Sequence, residues 1–141
     1  MTKSMSLNKP FDPVLYRRDD DAKDDVIRWV ARRYGYHLYV NPDQYGIDLL
    51  CDNGWSFEVE VKHNWLGGKF PFQSVHFSAR KLKFANRQSI FVMLNSGRSH
   101  ALLVAGDVVK RSRVVRKATK YTTDEQFVEV PVRFAELVRL D

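Results

Sequence analysis

The runs Tyr45-Gly46-Ile47-Asp48-Leu49-Leu50-Cys51 and Trp55-Ser56-Phe57-Glu58-Val59-Glu60-Val61-Lys62, joined by Asp52-Asn53-Gly54, restrict this chain most. In the second run every other residue is apolar. A strand there puts Phe57, Val59 and Val61 on one face and Glu58, Glu60 and Lys62 on the other. In the first run Ile47, Leu49 and Cys51 share a face, which leaves Asp48 opposite them. If both apolar faces meet one core, Asp48 lies with Glu58 and Glu60, and parity then selects the turn. A two-residue Asn53-Gly54 loop sets Asp48 across from Val59 and mixes the faces. A three-residue Asp52-Asn53-Gly54 loop pairs Asp48 with Glu58, leaves Glu60 diagonal to it, and requires Gly54 in a left-handed bulge. The three-residue form is expected.

Glu58, Glu60 and Lys62 by themselves are what an ordinary solvent face looks like. Asp48 is the residue that argues for more. Carboxylates that converge raise each other's pKa unless a cation sits between them. Cys51 is the one cysteine and no histidine cluster offers soft ligands, so a hard oxygen-liganded ion such as Mg²⁺ or Mn²⁺ is the cofactor expected. Such an ion polarises a phosphate oxygen and lowers the pKa of a bound water. Lys62 is placed to orient that water or to neutralise charge in the transition state.

Around this hairpin the pattern is mixed. Residues 1–18 are polar, with Pro10 and Pro13, and read as an arm; residues 19–141 read as one domain. Asp19 to Tyr34 is helical, with Ala22, Val26, Trp29, Val30 and Arg33 at three- and four-residue steps and acids suited to a helix start. Gly35 ends it and Tyr36 to Val40 is a short strand. Gly67-Gly68-Lys69-Phe70-Pro71 is a loop, and Trp65, Phe70 and Phe72 beside it are either core or a flap that stacks on bases. Ser78 caps a short helix with Ala79, Leu82 and Ala85 inward and Arg80, Lys81 and Lys83 towards solvent. Ser89 to Leu94 and Ala101 to Ala105 are buried strands, and beyond Gly106 short strands flank a basic linker. Phe127 to Val130 is one of these; Phe134 to Leu140 fits strand or helix. The expected architecture is α/β around one mixed sheet with extra C-terminal strands.

Charge is unevenly placed. The net +6 resolves into thirteen Lys or Arg against one acid between Lys62 and Lys120, and −6 over the rest, where Asp19, Asp20, Asp21, Asp24 and Asp25 cluster. A metal site beside a polyanion track has this form, as do two unrelated solvated faces. No run of apolar residues is long enough for a membrane span, and no apolar stretch follows Met-Thr-Lys-Ser-Met-Ser, so a cytoplasmic location is expected.

Gly46-Ile47-Asp48, eleven residues, then Glu60-Val61-Lys62 resembles the Asp…Glu-x-Lys signature of the PD-(D/E)xK nuclease superfamily, and the order of elements from 19 to 94 resembles its restriction-endonuclease-like α-β-β-β-α-β core. Ile47 stands where that pattern has proline. Pro42-Asp43 just upstream makes Asp43 a rival first acid, set aside because it falls in a break between strands. The resemblance implies a metal-dependent endonuclease acting on DNA, with RNA still open. Asp48 and Glu60 with the Val61 carbonyl would hold the metal, and Lys62 would serve the water. Asp25, with Asp21 second, is the first-helix acid that many members add. Arg80 and Lys81 become phosphate contacts, with Lys69 and the run Lys110, Arg111, Arg113, Arg116 and Lys117 as further nucleic-acid-binding residues. Small members without a recognition domain include Holliday junction resolvases, which suggests branched DNA and a homodimer. The competing reading is a non-catalytic nucleic-acid-binding module on the same fold. Gln73 is a loop residue near the site, His63 points away from the acids by alternation, and Cys51 is an inert core residue.

Overall fold

A computed structural model describes residues 13–118 and 124–141, and its first element is the helix α1, Pro13–Tyr34. The helix starts before the expected Asp19, so residues 13–18 are not an arm; residues 1–12 lie outside the described ones. Proline suits a first helical position because it leaves no N–H unpaired there. The early start also moves the acidic cluster out of the first turn, so the helix dipole does not explain it. Ala22, Val26, Trp29 and Val30 are buried as their spacing predicts, while Arg33 is exposed. Gly35, at φ 75°, closes the helix with its N–H donating to the Ala31 carbonyl at 3.0 Å.

Among the described residues nine strands follow: β1 (Leu38–Val40), β2 (Leu49–Cys51), β3 (Ser56–Val61), β4 (Ser74–Ser78), β5 (Ser89–Leu94), β6 (His100–Ala105), β7 (Arg113–Lys117), β8 (Glu125–Pro131) and β9 (Glu136–Arg139). A six-residue helix α2, Gly106–Arg111, lies between β6 and β7, where strands and a linker were expected. It buries Gly106 and Val109 and is too short to show helical periodicity. The strands make two sheets rather than one: a six-stranded sheet β1-β2-β3-β5-β6-β9 and a three-stranded sheet β4-β8-β7. In the larger sheet β3 and β5 are parallel and the other neighbours antiparallel, so the architecture is mixed α/β. Among the described residues no helix is long and apolar enough to cross a membrane.

Alternation in the central strands builds two cores. Phe57, Val59, Val92 and Leu94 face α1, whereas Phe91, Met93, Leu102 and Val104 face Val75, Phe77, Val128 and Val130 of the smaller sheet. A strand covered on both sides has no need of a polar face, which explains the continuous run Phe91-Val92-Met93-Leu94. Trp65, fully buried, joins the second core with Phe70 edge-on at 5.0 Å, so it is not part of a flap. Full burial of a side chain of this size is worth about 2–3 kcal/mol, more than a mobile role would return.

Candidate active site

The β2–β3 hairpin has the expected register. Leu49 pairs with Phe57 and Leu50 with Ser56, while Gly54, at φ 92°, donates its N–H to the Cys51 carbonyl at 3.0 Å. Asp48 therefore sits across from Glu58. Its N–H donates to Glu58 Oε1 at 3.2 Å, and its own Oδ2 accepts the Val59 N–H at 2.9 Å. The strand is shorter than expected, beginning at Leu49, because Asn41 and Asp43 hold residues 41–48 as a loop. The Asp43 and Tyr45 N–H groups donate at 3.0 Å to Asn41 Oδ1 and Asp43 Oδ1, and Asn41 Nδ2 donates to the Ile47 carbonyl. Asp43 is thereby a turn residue, which removes the rival first acid.

Glu58 and Glu60 share the face of β3 that meets the smaller sheet, beside Phe91 and Met93 of β5. They are not a solvent face: Glu58 is only 3% exposed. The cation between them is Lys81, whose Nζ lies 2.8 Å from Glu58 Oε2 and 3.3 Å from Glu60 Oε2. Burial raises the Glu58 pKa to about 6, against the pull of Lys81 and with a further push from Asp48. Burial also disfavours the Lys81 ammonium, but the Glu60 and Glu58 carboxylates outweigh it and hold its pKa above the usual value. Asp48 has its own cation, Lys23 of α1, at 3.5 Å.

Lys81 was expected in solvent, and the reason it is not is the helix type. Ala79–Phe84 is a 3-10 helix, and Ser78 makes no side-chain cap to it. At three residues per turn Lys81 falls on a face with Ser78 and Phe84, next to the face of Ala79, Leu82 and Ala85. Both faces are covered, leaving Arg80 and Lys83 exposed. Lys81 is thus withdrawn from the surface phosphate contacts, while Arg80 remains available.

Asp25 does not reach this cluster. It pairs with Arg98 at 2.7 Å and with Arg28. Lys23 and Asp25 are about 200° apart around the helix, on opposite flanks of the buried stripe, so only one of them can face Asp48. Asp21 is exposed. Lys62 leaves the end of β3 over the Phe72 ring at 4.9 Å; burial, then Lys117, depress its pKa, with Glu60 opposing. Phe72 is the one aromatic of the supposed flap that stays exposed. Of the basic run, Lys110 and Arg111 are on α2, with Arg111 3.8 Å from Asp107. Arg113 and Arg116 are each 2.8 Å from a carboxylate, Glu129 and Asp124 respectively. Lys69 is exposed and its carbonyl accepts the Trp65 indole N–H at 3.0 Å. Gln73 is exposed, its carbonyl accepting the Val132 N–H at 2.9 Å, and Lys120 lies outside the described residues.

Sequence reasoning placed Glu58 opposite Asp48 but did not count it in the site, gave Lys81 to phosphate rather than to the acids, and missed Lys23. A three-residue period over Ala79–Phe84 would have turned Lys81 inward. For a hard cation the donors are right in kind: all are carboxylate oxygens, and Glu60 Oε2 is buried without a hydrogen bond. Among the described residues, however, no three His, Cys, Asp or Glu side chains converge as a metal ion needs, and Lys81 meets the charge instead. No protein-family model matches the chain, and no curated protein matches it.

Proposed function

We propose that the chain is a metal-dependent endonuclease of PD-(D/E)xK type that hydrolyses DNA phosphodiester bonds. The observation that carries the reading is the hairpin register, which sets Asp48 across from Glu58 on the face of β3 that also carries Glu60, whose Oε2 has the Lys81 ammonium, 3.3 Å away, as its partner. The order α1, β1, β2, β3, then β5 parallel to β3, also supports a restriction-endonuclease-like core, with β4 of the smaller sheet and a 3-10 helix between β3 and β5 where that core has its second α-helix.

Asp48 and Glu60, with the Val61 carbonyl, would hold Mg²⁺ or Mn²⁺. When bound, the ion supplies Lewis-acid polarisation of the phosphate and a water of lowered pKa. The Val59 N–H fixes the Asp48 carboxylate by its bond to Oδ2. Lys81 would have to release Glu60 for that oxygen to become a ligand, its ammonium staying paired with Glu58. Lys62, two residues beyond Glu60 and half-buried over Phe72, would neutralise charge on the substrate. Two copies would cut two strands, and branched DNA is the substrate form the small size favours.

A second reading has its own observation. Lys81 satisfies Glu58 and Glu60 without a metal, as a non-catalytic binding module would require. Incubation with linear, nicked, flapped and four-way DNA in Mg²⁺, Mn²⁺ or EDTA separates the two. Metal-dependent products on any substrate support the nuclease; binding without products in every metal supports the module.

A further inference from the structure

The helix α1 packs on β1 and β3 and ends at Tyr34, where Gly35 turns the chain away. At that end, on the same face of the larger sheet, lies a cavity of about 560 Å³, a volume typical of small-molecule sites. Its walls are aromatic. Trp29, Trp55 and Phe57 line it from the core, and Tyr34, Tyr36 and Phe134, each about half exposed, line it nearer the surface. Trp29 meets Tyr34 edge-on at 5.6 Å, and the Tyr34 and Tyr36 rings stack at 6.4 Å. Large rings left half exposed around one concavity offer flat faces to a planar guest. Asn53 and Glu136 also line the cavity, and Glu136 makes no ion pair among the described residues. The Arg33 guanidinium lies over the Tyr34 ring at 5.0 Å and that of Arg133 over the Phe134 ring at 4.6 Å. Neither arginine has a carboxylate partner among the described residues. The cavity thus combines stacking faces, an unpaired carboxylate and two unpaired cations on its rings.

We infer that this cavity is a binding site for a guanine nucleotide. The base stacks on the rings of Tyr34, Tyr36 and Phe134, its neighbouring ring N–H and amino donors meet the two oxygens of Glu136, and the phosphate pairs with Arg33 or Arg133. An ionised carboxylate only accepts hydrogen bonds, so it selects a base edge with two adjacent donors. Guanine has such an edge, whereas adenine sets a donor beside an acceptor and forfeits one bond. Arginine suits the phosphate because its planar fork bonds two oxygens while it stays stacked on a ring. Guanine with its phosphate reaches the site either as a free nucleotide or as an unpaired residue of a nucleic acid. Phe57 lies on the face of β3 opposite Glu58 and Glu60, so the site is separate from the acids and stands without the nuclease reading.

The test is calorimetric titration of the full chain in EDTA with guanosine, its monophosphate, inosine monophosphate and ribose phosphate. Single-stranded oligothymidylate with and without one guanine forms a second arm. Wild type is expected to bind guanosine monophosphate about tenfold more tightly than inosine monophosphate, which lacks the amino donor, and not to bind ribose phosphate. Glu136→Gln should remove that difference, and Tyr36→Ala should weaken guanosine monophosphate about tenfold through lost stacking. Arg33→Gln or Arg133→Gln should weaken the monophosphate and leave guanosine unchanged. All four side chains are exposed, and thermal unfolding of each variant checks that the fold is kept. The indole N–H resonances locate the ligand: those of Trp29 and Trp55 should move, while that of Trp65, in the other core, should not. Guanine-dependent binding of the oligonucleotide without binding of the monophosphate supports the site with nucleic acid as its source. Absence of both overturns the site. So does binding that Glu136→Gln and Tyr36→Ala leave unchanged, or a ligand that moves Trp65 rather than Trp29 and Trp55.

Discussion

Glu58 carries the clearest consequence at the scale of single residues. In the folded chain it takes up its proton near pH 6, because burial disfavours the charge, against 4.5 for an unperturbed glutamate. Between those values the folded state binds more protons than the unfolded state, so this group stabilises the fold as pH falls through the window. The penalty for its charged form at pH 7 is about 2 kcal/mol. Urea unfolding of wild type and Glu58→Gln from pH 7 to pH 4.5 should therefore show wild type gaining on the variant as pH falls. A pH-independent difference would count against the buried carboxylate. Lys81 is the partner on which the pair depends. Lys81→Met leaves two carboxylates facing each other and should cost on the order of 3 kcal/mol at pH 7. Added Mg²⁺ should raise the melting temperature of Lys81→Met more than that of wild type, because an ion then enters without displacing an ammonium. Equal shifts in the two proteins would separate Lys81 from the proposed metal site.

At the scale of elements the hairpin sets the site. Gly54 lies in the left-handed region with nothing within 4 Å of where a Cβ would be, so Gly54→Ala adds only backbone strain. That strain should lower stability by about 1–2 kcal/mol, read by thermal unfolding, and leave the register intact. A shift of register would instead appear as lost Asp48–Glu58 proximity and exposed Phe57. This register was legible in the sequence because two local facts agree: the alternation of Phe57, Val59 and Val61, and a turn whose length has to preserve it. β4 was not legible, since its inward residues Val75 and Phe77 follow a Gly- and Pro-containing loop. Its partner strand is also remote, with His76 and Glu129 53 residues apart. Lys81 was hidden for a different reason: a 3.6-residue period puts it outward, and only the tighter 3-10 geometry turns it in. Asp25 was misplaced because a helix presents two flanks to its neighbours, and spacing alone does not say which flank meets the hairpin.

Across the whole molecule the uneven charge takes on a narrower meaning. The basic stretch from Lys62 onwards is not a continuous free track. Lys81, Arg98, Arg111, Arg113 and Arg116 each pair with a carboxylate, whereas Lys62, Lys69, Arg80 and Lys110 have no such pair among the described residues. Salt dependence of DNA binding should accordingly be shallow for so basic a chain, since paired cations release few counterions. The layered arrangement places the acids beside the core between the two sheets, where burial strengthens their interactions, and leaves the Glu60 side chain 27% exposed. The proposed role of these carboxylates in phosphodiester hydrolysis is tested by nicking of supercoiled plasmid in Mg²⁺ by wild type and Asp48→Asn. Wild type is expected to produce open-circular DNA that EDTA prevents and Asp48→Asn does not form. Equal DNA binding by both proteins in EDTA with no nicking by either in Mg²⁺, or equal nicking by both, would contradict it.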